Sequence, residues 1–377
     1  MPPLRPEPTL RFAPRGAAAV SSLLEAQNVT RVFGGGLLSK RHTVAVDDVS
    51  LLINEDNPSI TAIAGESGSG KTTLARLLLG VIQPTGGSIL YRGRSLSAMD
   101  GRSRKDFRRE VQAIFQDPYE AYNPVYKVDQ TLTTPVRKFG LARTPEEAHQ
   151  VIEESLRLAG LRPEDTLGRY PHQLSGGQRQ RIMVARALLL HPRVILADEP
   201  VSMVDASLRA TILESLVKLK RDLGISLIYI THDLTTAYQI SQNIYVLYRG
   251  SVAEMGSVDE VIRQPKHPYT HLLVSSVPLP DPDTHWGGDS ATDVKRSATG
   301  SAPVHGCKFA NRCPYVMAEC LHARPPLYRT AEGRAVACYL YKDSPTVSGR
   351  DMAEALARAE YPLPATRALD NLGTDSI

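Results

Sequence analysis

Apolar positions along this chain follow two rhythms. Short continuous runs at Ile60–Ala64, Val194–Asp198, Ile225–Ile230 and Ile244–Tyr248 read as buried strands. Leu23–Phe33 is predicted as an edge strand ending at an aromatic, and Val44–Ile53 as a strand with partial alternation. Ser88–Tyr91 and Val111–Phe115 are two further strand candidates. Elsewhere apolar residues recur at helical spacing. Lys71–Leu79 follows a strand directly, and Ile152, Leu156 and Ala159 precede Gly160 as a stop. Leu208, Ile212, Leu216, Leu219 and Leu223 define one face of a helix closed by Gly224. Asp351–Glu360, rich in alanine, is a last helix candidate. Strands alternating with helices predict an α/β sheet, and the mostly helical stretch of about 117–190 reads as a subdomain grafted onto it.

The other stretches set the boundaries. Residues 1–22, rich in Pro, Arg and Ala, are expected to form a flexible tail ahead of a main domain at 23–277. A Pro-, Gly-, Ser- and Asp-rich linker is expected at 278–305, then a small cysteine-bearing extension at 306–345 and a tail at 346–377. With 377 residues, 42% hydrophobic and 22% charged, the chain has room for one large domain and a small one. A net charge of +4 is weak at this length and gives no argument for a nucleic-acid partner, though it permits contact with an anionic membrane surface. No run of eighteen apolar residues exists, so no segment is expected to span a bilayer. The first twenty residues lack the apolar core of a secretory signal, and a cytoplasmic location is expected.

The chemistry starts at Gly65-Glu66-Ser67-Gly68-Ser69-Gly70-Lys71-Thr72, which reads G-x-x-x-x-G-K-[ST] between a strand and the helix opening at Lys71-Thr72-Thr73. The glycines let the backbone curl so that its N–H groups face an anion, and the helix N-terminus adds positive potential. Lys71 is expected to reach the β- and γ-phosphates of a nucleoside triphosphate, and the Thr72 hydroxyl to ligand Mg²⁺. Asp198-Glu199 closes a later strand, where the ligand crevice of such a sheet lies. Asp198 is the expected Mg²⁺ partner and Glu199 the general base for an attacking water. Ser175-Gly176-Gly177-Gln178 forms an N-capped helix start, a second anion site. One γ-phosphate does not need two such sites, so the second is expected to serve a neighbouring chain's nucleotide.

With Leu174-Ser175-Gly176-Gly177-Gln178 between the phosphate loop and Asp198-Glu199, the chain resembles the ATP-binding cassette (ABC) ATPases. The resemblance spans about residues 23–345. It implies an α/β phosphate-loop ATPase core with a mixed sheet, a helical signature subdomain and a small cysteine-rich extension. It also implies roles for single residues. Gln116 resembles the loop glutamine that senses Mg²⁺ and touches the membrane partner, Asp205 the aspartate that crosses between two cassettes, and His232 the switch histidine at the γ-phosphate. Phe33 is the candidate for the aromatic stacked on adenine, although tyrosine is usual there and the stretch from Gly34 to Thr43 lengthens the spacing.

The resemblance narrows at Pro171-His172-Gln173, Gln116-Asp117-Pro118-Tyr119 and His267-Pro268-Tyr269-Thr270, which look like ATPases of the dipeptide/oligopeptide importer group. Such a chain is expected to bind ATP and Mg²⁺, and to dimerise with itself or with a sister ATPase. It would work under two membrane-spanning permease subunits fed by an extracellular solute-binding protein, at the cytoplasmic face of the membrane. Glu199-Pro200-Val201-Ser202 leans toward the second ATPase of a heterodimeric pair.

All four cysteines, Cys307, Cys313, Cys320 and Cys338, fall in one segment with spacing C-x5-C-x6-C-x17-C. A cytosolic setting disfavours disulfides, and structural zinc usually shows C-x2-C pairs, which are missing. A Cys₄ iron–sulfur site suits the clustering, with zinc as the alternative. The importer group's similar C-terminal pattern implies a [4Fe–4S] site. The competing reading of the whole chain is a soluble ABC ATPase acting on DNA or ribosomes. Only about a hundred residues separate Lys71 from Ser175, too few for a long coiled-coil insertion, and the chain carries a single cassette rather than two.

Overall fold

The computed structural model describes residues 21–34, 42–116, 122–202, 204–277 and 305–363. Most of the expected 1–22 tail and 278–305 linker, and the last fourteen residues, lie outside them, as do Asp117, Pro118 and Tyr119.

The chain opens with β1 (Ser22–Gly34) and β2 (His42–Asn54), and β3 (Ile60–Ala64) runs through the phosphate loop into α1 (Lys71–Leu78). It returns as β4 (Gly86–Tyr91) and β5 (Arg94–Ser95), and α2 (Gly101–Glu110) passes directly into β6 (Val111–Ile114). Four helices follow, α3 (Asp129–Phe139), α4 (Pro145–Leu158), the single turn α5 (Pro163–Thr166) and α6 (Gly176–Leu188). Then β7 (Val194–Asp198), α7 (Ala206–Leu223), β8 (Ser226–Thr231), α8 (Leu234–Ile240) and β9 (Asn243–Tyr248) alternate. β10 (Ser251–Ser257) turns back on β9 and leads into α9 (Val258–Arg263) and α10 (Pro268–Ser275). After position 305 come α11 (Ala318–His322), a hairpin of β11 (Tyr328–Ala331) and β12 (Arg334–Val336), and α12 (Gly349–Arg358).

Two sheets organise these elements. The antiparallel one has the order β2-β1-β4-β5; the larger runs β11-β12-β10-β9-β3-β8-β7-β6. From β9 to β6 all pairings are parallel, and β3, buried at every position, lies between β8 and β9. Side-chain alternation splits the core. Ile195, Ala197, Leu227 and Tyr229 face a cluster built with Leu132, Ile152, Leu156, Ile182 and Met183 of the helical layer. Val194, Leu196, Ile228 and Ile230 face the opposite cluster, with Leu74, Leu77 and Leu78 of α1 and the inner face of β1 and β2. The parallel sheet is therefore covered on both faces, as its Val- and Ile-rich strands require.

Several expectations change. β1 is not an edge strand: it pairs with β2 on one side and β4 on the other, because Leu23, Leu24, Ala26 and Val29 are buried against α1. Leu223 leaves the buried face of α7 and is exposed, since the helix ends there at Gly224 in the left-handed region. β10 and the β11–β12 hairpin carried no clear strand signal, being short and broken by Gly and charge. The helix expected within a C-terminal tail is instead packed on β2. Met352 and Leu356 enter the main core, and Ala353 and Ala357 lie on Leu52. Side chains of Asn54 and Asn57 donate to the Ala357 carbonyl at 3.3 Å, satisfying the end of α12.

The C-terminal segment is joined to the sheet by a buried ion pair. Arg334 Nη2 lies 2.6 Å from Glu254 Oε1, with side-chain exposures of 3% and 0%. The Arg334 guanidinium also donates to the Gln264 carbonyl, and Glu254 accepts from the backbone N–H groups of Lys266 and His267. Removing one partner strands the other charge, so Arg334→Met is expected to lose about 3–5 kcal/mol by chemical denaturation. The double variant Arg334→Met/Glu254→Met should recover most of that loss.

Candidate functional site

The parallel register places the site. Ile114 of β6 pairs with Ala197, Asp198 of β7 with Ile230, and Thr231 of β8 with Ala64 of β3. The four strands therefore end level. The residues that follow them, Gln116, Glu199, His232 and the loop from Gly65, share one rim, where the ligand crevice of an open parallel sheet lies.

The rim is tightly hydrogen-bonded. Gln116 Nε2 donates to Glu199 Oε2 at 2.9 Å, and His232 Nδ1 lies 2.9 Å from Glu199 Oε1. The Glu199 carboxylate is thus held at both oxygens, with its side chain 16% exposed, whereas His232 is 58% exposed. Glu199 has φ 45°, a left-handed conformation unusual for a residue with a Cβ, and its N–H donates to the Ile230 carbonyl at 2.9 Å. Such strain is held by surrounding structure and concentrates at functional sites. Asp198 accepts a hydrogen bond from the Thr72 hydroxyl, yet burial raises its pKa above the usual carboxylate value. Lys71 is buried, which lowers its pKa, while Glu199, Asp198 and Glu66 oppose the shift. Its ammonium donates to the carbonyls of Gly65 at 2.7 Å and Glu66 at 3.0 Å.

The loop is packed from below at its glycines. A Cβ at Gly65 would lie 2.3 Å from the Leu247 carbonyl oxygen, and one at Gly70 would lie 2.2 Å from that of Ala45. Both glycines have positive φ, at 150° and 102°. Gly68 has open space around it, Ser67 is exposed and Ser69 buried. Thr72 is exposed at the start of α1, and Thr73 sits one position further into the helix.

Ser175, Gly176, Gly177 and Gln178 open α6 through a reciprocal cap. Ser175 Oγ accepts from the Gln178 N–H at 3.2 Å, and Gln178 Oε1 from the Ser175 N–H at 2.9 Å. Arg179 braces the preceding turn through the carbonyls of Leu174 at 2.7 Å and Pro171 at 3.1 Å. α6 packs on α3, α4, α7 and β6, and α1 on β1, β2 and β7. The two helices thus pack on opposite faces of the main sheet. Asp205, exposed, stands at the start of α7 and makes no side-chain cap. Phe33 is exposed near the end of β1, with the Arg31 guanidinium 4.7 Å from its ring centre.

The four cysteines are gathered. Cys307 and Cys320 meet through a backbone hydrogen bond of 2.7 Å, and the four thiols are near enough to influence one another's charge. Backbone N–H groups of Phe309 and Ala310 point at Cys307, that of Tyr315 at Cys313 and that of Leu340 at Cys338. Burial raises the Cys307 and Cys313 thiols and pushes Cys338 up to about 11. Among the described residues, however, no group of three or more His, Cys, Asp or Glu is arranged to hold a metal ion. The expected iron–sulfur or zinc centre finds no support in this arrangement, which presents the four cysteines as neighbouring free thiols.

Two contacts to the phosphate loop carried no sequence signal of their role. Tyr269 Oη accepts the Glu66 N–H at 2.8 Å, and Arg312 makes a two-pronged ion pair with the Glu66 carboxylate. His267 places Tyr269: its Nδ1 accepts the Tyr269 N–H at 2.9 Å, and burial lowers its pKa to about 4.

A phosphate loop after β3, a carboxylate pair at the end of β7 and a capped serine–glycine helix on the opposite face of the sheet from α1 define a cassette-type ATPase. The description "ABC transporter" matches residues 46–202, and "Oligopeptide/dipeptide transporter, C-terminal region" matches residues 253–320. A putative oligopeptide transport ATP-binding protein of Bacillus subtilis is 40% identical over 327 residues, 86% of this chain and 97% of that protein. The dipeptide transport ATP-binding protein of Escherichia coli is 38% identical, covering 81% and 89% of the two chains. The cassette MJ0796, solved as a dimer bound to ADP and phosphate, is 29% identical with a TM-score of 0.55, covering 62% of this chain and 98% of that one. This chain belongs to the ABC transporter ATPases, in the group that carries the oligopeptide/dipeptide C-terminal region.

The loop geometry gives a direct test. Gly70→Ala adds a clash with Ala45 to a left-handed strain of about 1–2 kcal/mol. It is expected to abolish Mg-ATP binding in a titration while the helical layer keeps its secondary structure by circular dichroism.

Proposed function

We propose that this chain is the ATP-hydrolysing subunit of a peptide importer, working in a pair of cassettes beneath two permease subunits. The observation that carries the reading is that the helices opening at Lys71 and at Gly176 lie on opposite faces of the main sheet. One chain supplies the phosphate loop of a site and its neighbour the Ser175–Gln178 cap. Asp205, exposed at the start of α7, is available to that neighbour. The relatives' names supply the peptide cargo and the importer context. A sister ATPase as the partner rests on the resemblance of Glu199–Ser202 to a second subunit.

Within each site, Lys71 leaves its loop carbonyls to pair with the β- and γ-phosphates, and the backbone of Gly65–Gly70 wraps them. Phe33 offers a ring face to adenine. Thr72, Asp198 and Gln116 would hold Mg²⁺; the Thr72–Asp198 hydrogen bond and the buried carboxylate suit a cation there. Mg²⁺ supplies charge neutralisation of the phosphates. Glu199, fixed by Gln116 and His232, takes the proton of the attacking water, and His232 turns toward the γ-phosphate as its more exposed partner.

A cleft of about 890 Å³ between α2, the end of β6 and α3 supports the permease reading. Arg104, Lys105, Arg108 and Lys138 line it beside the exposed Phe115, next to Gln116. A permease segment seated there would be acidic with an apolar anchor. Among the described residues no helix is long and apolar enough to cross a membrane, so membrane attachment would run through that cleft.

The four thiols supply the donor chemistry of a four-thiolate site, with N–H groups already aimed at three sulfurs. Binding iron–sulfur or zinc would have to draw the sulfurs together. Anaerobically purified protein should carry iron and acid-labile sulfide, or zinc, in stoichiometric amount; a metal-free chain rejects the assignment.

Glu199→Gln is expected to keep Mg-ATP affinity within a few-fold while lowering the rate of phosphate release by about 10²–10⁴. An unchanged rate removes Glu199 from the proton-transfer role. The importer reading is tested by gentle detergent extraction of the tagged chain from its own membranes. Two polytopic proteins, a second cassette and a solute-binding protein are the expected companions. Ribosomes or nucleic-acid factors without membrane subunits would replace it by the soluble alternative.

A further inference from the structure

The residues between the first two cysteines reach back to the phosphate loop by two routes. Arg312, beside Cys313, pairs with Glu66 through Nη1–Oε2 and Nη2–Oε1 contacts of 2.9 Å each. Its guanidinium lies 5.6 Å from the Phe309 ring centre and 6.0 Å from that of Tyr248. Tyr248 in turn packs at 4.5 Å on Tyr269, whose hydroxyl holds the Glu66 N–H. Lys308 donates to the Arg249 carbonyl at 2.8 Å and Ser251 Oγ at 2.6 Å, and pairs with Asp47 at 2.7 Å. It thereby fixes the turn whose Gly250 N–H donates to the Ser69 carbonyl at 2.8 Å.

Glu66 is the centre of this arrangement. Its carbonyl accepts from the Ser69 N–H at 3.1 Å and from the Lys71 ammonium. Its carboxylate is an anion on the loop that must receive a polyanion. Left unpaired, it would repel the incoming phosphates; paired in a planar fork, it is neutralised and turned toward the extension. The pair is partly exposed, 28% for Arg312 and 38% for Glu66, so its contribution to global stability is small. Its consequence is local to the nucleotide.

We propose that Arg312 is a positioning residue for the phosphate loop: it neutralises and orients Glu66, so that nucleotide affinity depends on the cysteine-bearing segment. Lys308 supports the same loop from its other side. The order of the segment around Cys307 and Cys313 is thereby transmitted to Gly65–Lys71.

The test is equilibrium binding of Mg-ATP, Mg-ADP and adenosine to the full chain and its variants, which needs no partner subunit. Arg312→Met is expected to weaken Mg-ATP on the order of tenfold, Mg-ADP less and adenosine hardly at all, because the loss follows phosphate charge. Adding Glu66→Gln to Arg312→Met should restore affinity to within about twofold, since the uncompensated anion is gone. Arg312→Lys, which keeps the charge but not the fork, should fall between. Thermal melting of each variant checks that the fold persists. An Arg312→Met variant with unchanged Mg-ATP affinity overturns the proposal. So does a loss of equal size for all three ligands, or a double variant no better than the single one.

Discussion

Backbone hydrogen bonds between β6, β7, β8 and β3 hold the carboxyl ends of these strands level, and the reaction site depends on that alignment. A slip of one residue in any pairing would turn core side chains to the opposite face of the sheet and displace the residues at its rim. The register is guarded by burial on both faces. Ile195 and Ala197 must meet the helical layer, and Val194 and Leu196 must meet α1 and the antiparallel sheet. Gln116 and His232, from the loops after β6 and β8, can then meet on Glu199, which carries the local strain of a left-handed backbone.

The C-terminal segment is not an appendage to this core. It extends the main sheet through β12, lays α12 against β2, and is fastened by Glu254 and Arg334 in a dry setting. A buried pair of this kind adds little net stability over apolar residues, but it tolerates no partial assembly. The segment between Cys307 and Cys313 is consequently held where Arg312 and Lys308 reach the phosphate loop and the turn beneath it. A region outside the ATPase motifs thus shapes the electrostatics of the phosphate cradle.

The helices that open at Lys71 and at Gly176 lie on opposite faces of the main sheet. α1 packs on β1, β2 and β7, whereas α6 packs on β6 and on α3, α4 and α7 of the helical layer. The cationic cleft beside Gln116 lies between α2, the end of β6 and α3, where the helical layer meets the core.

The sequence by itself determined the chemistry carried by contiguous residues. Gly65–Thr72, Ser175–Gln178 and Asp198-Glu199 are short, and their glycines, cap and strand ends encode local geometry directly. Most strands and helices were legible for the same reason, since periodicity reports burial. Tertiary structure alone decided what depends on distant partners. β1 became an interior strand because β4 returns beside it, and α12 became core because β2 offers it Leu52. The four cysteines, spread over thirty-two positions, were brought together by the fold of the C-terminal segment. Glu66 met Arg312, 246 residues away in sequence, because β12 carries the extension back to the sheet. No local pattern records that encounter: an ion pair between surface-compatible residues leaves no periodic trace, and only the folded path brings them within hydrogen-bonding distance.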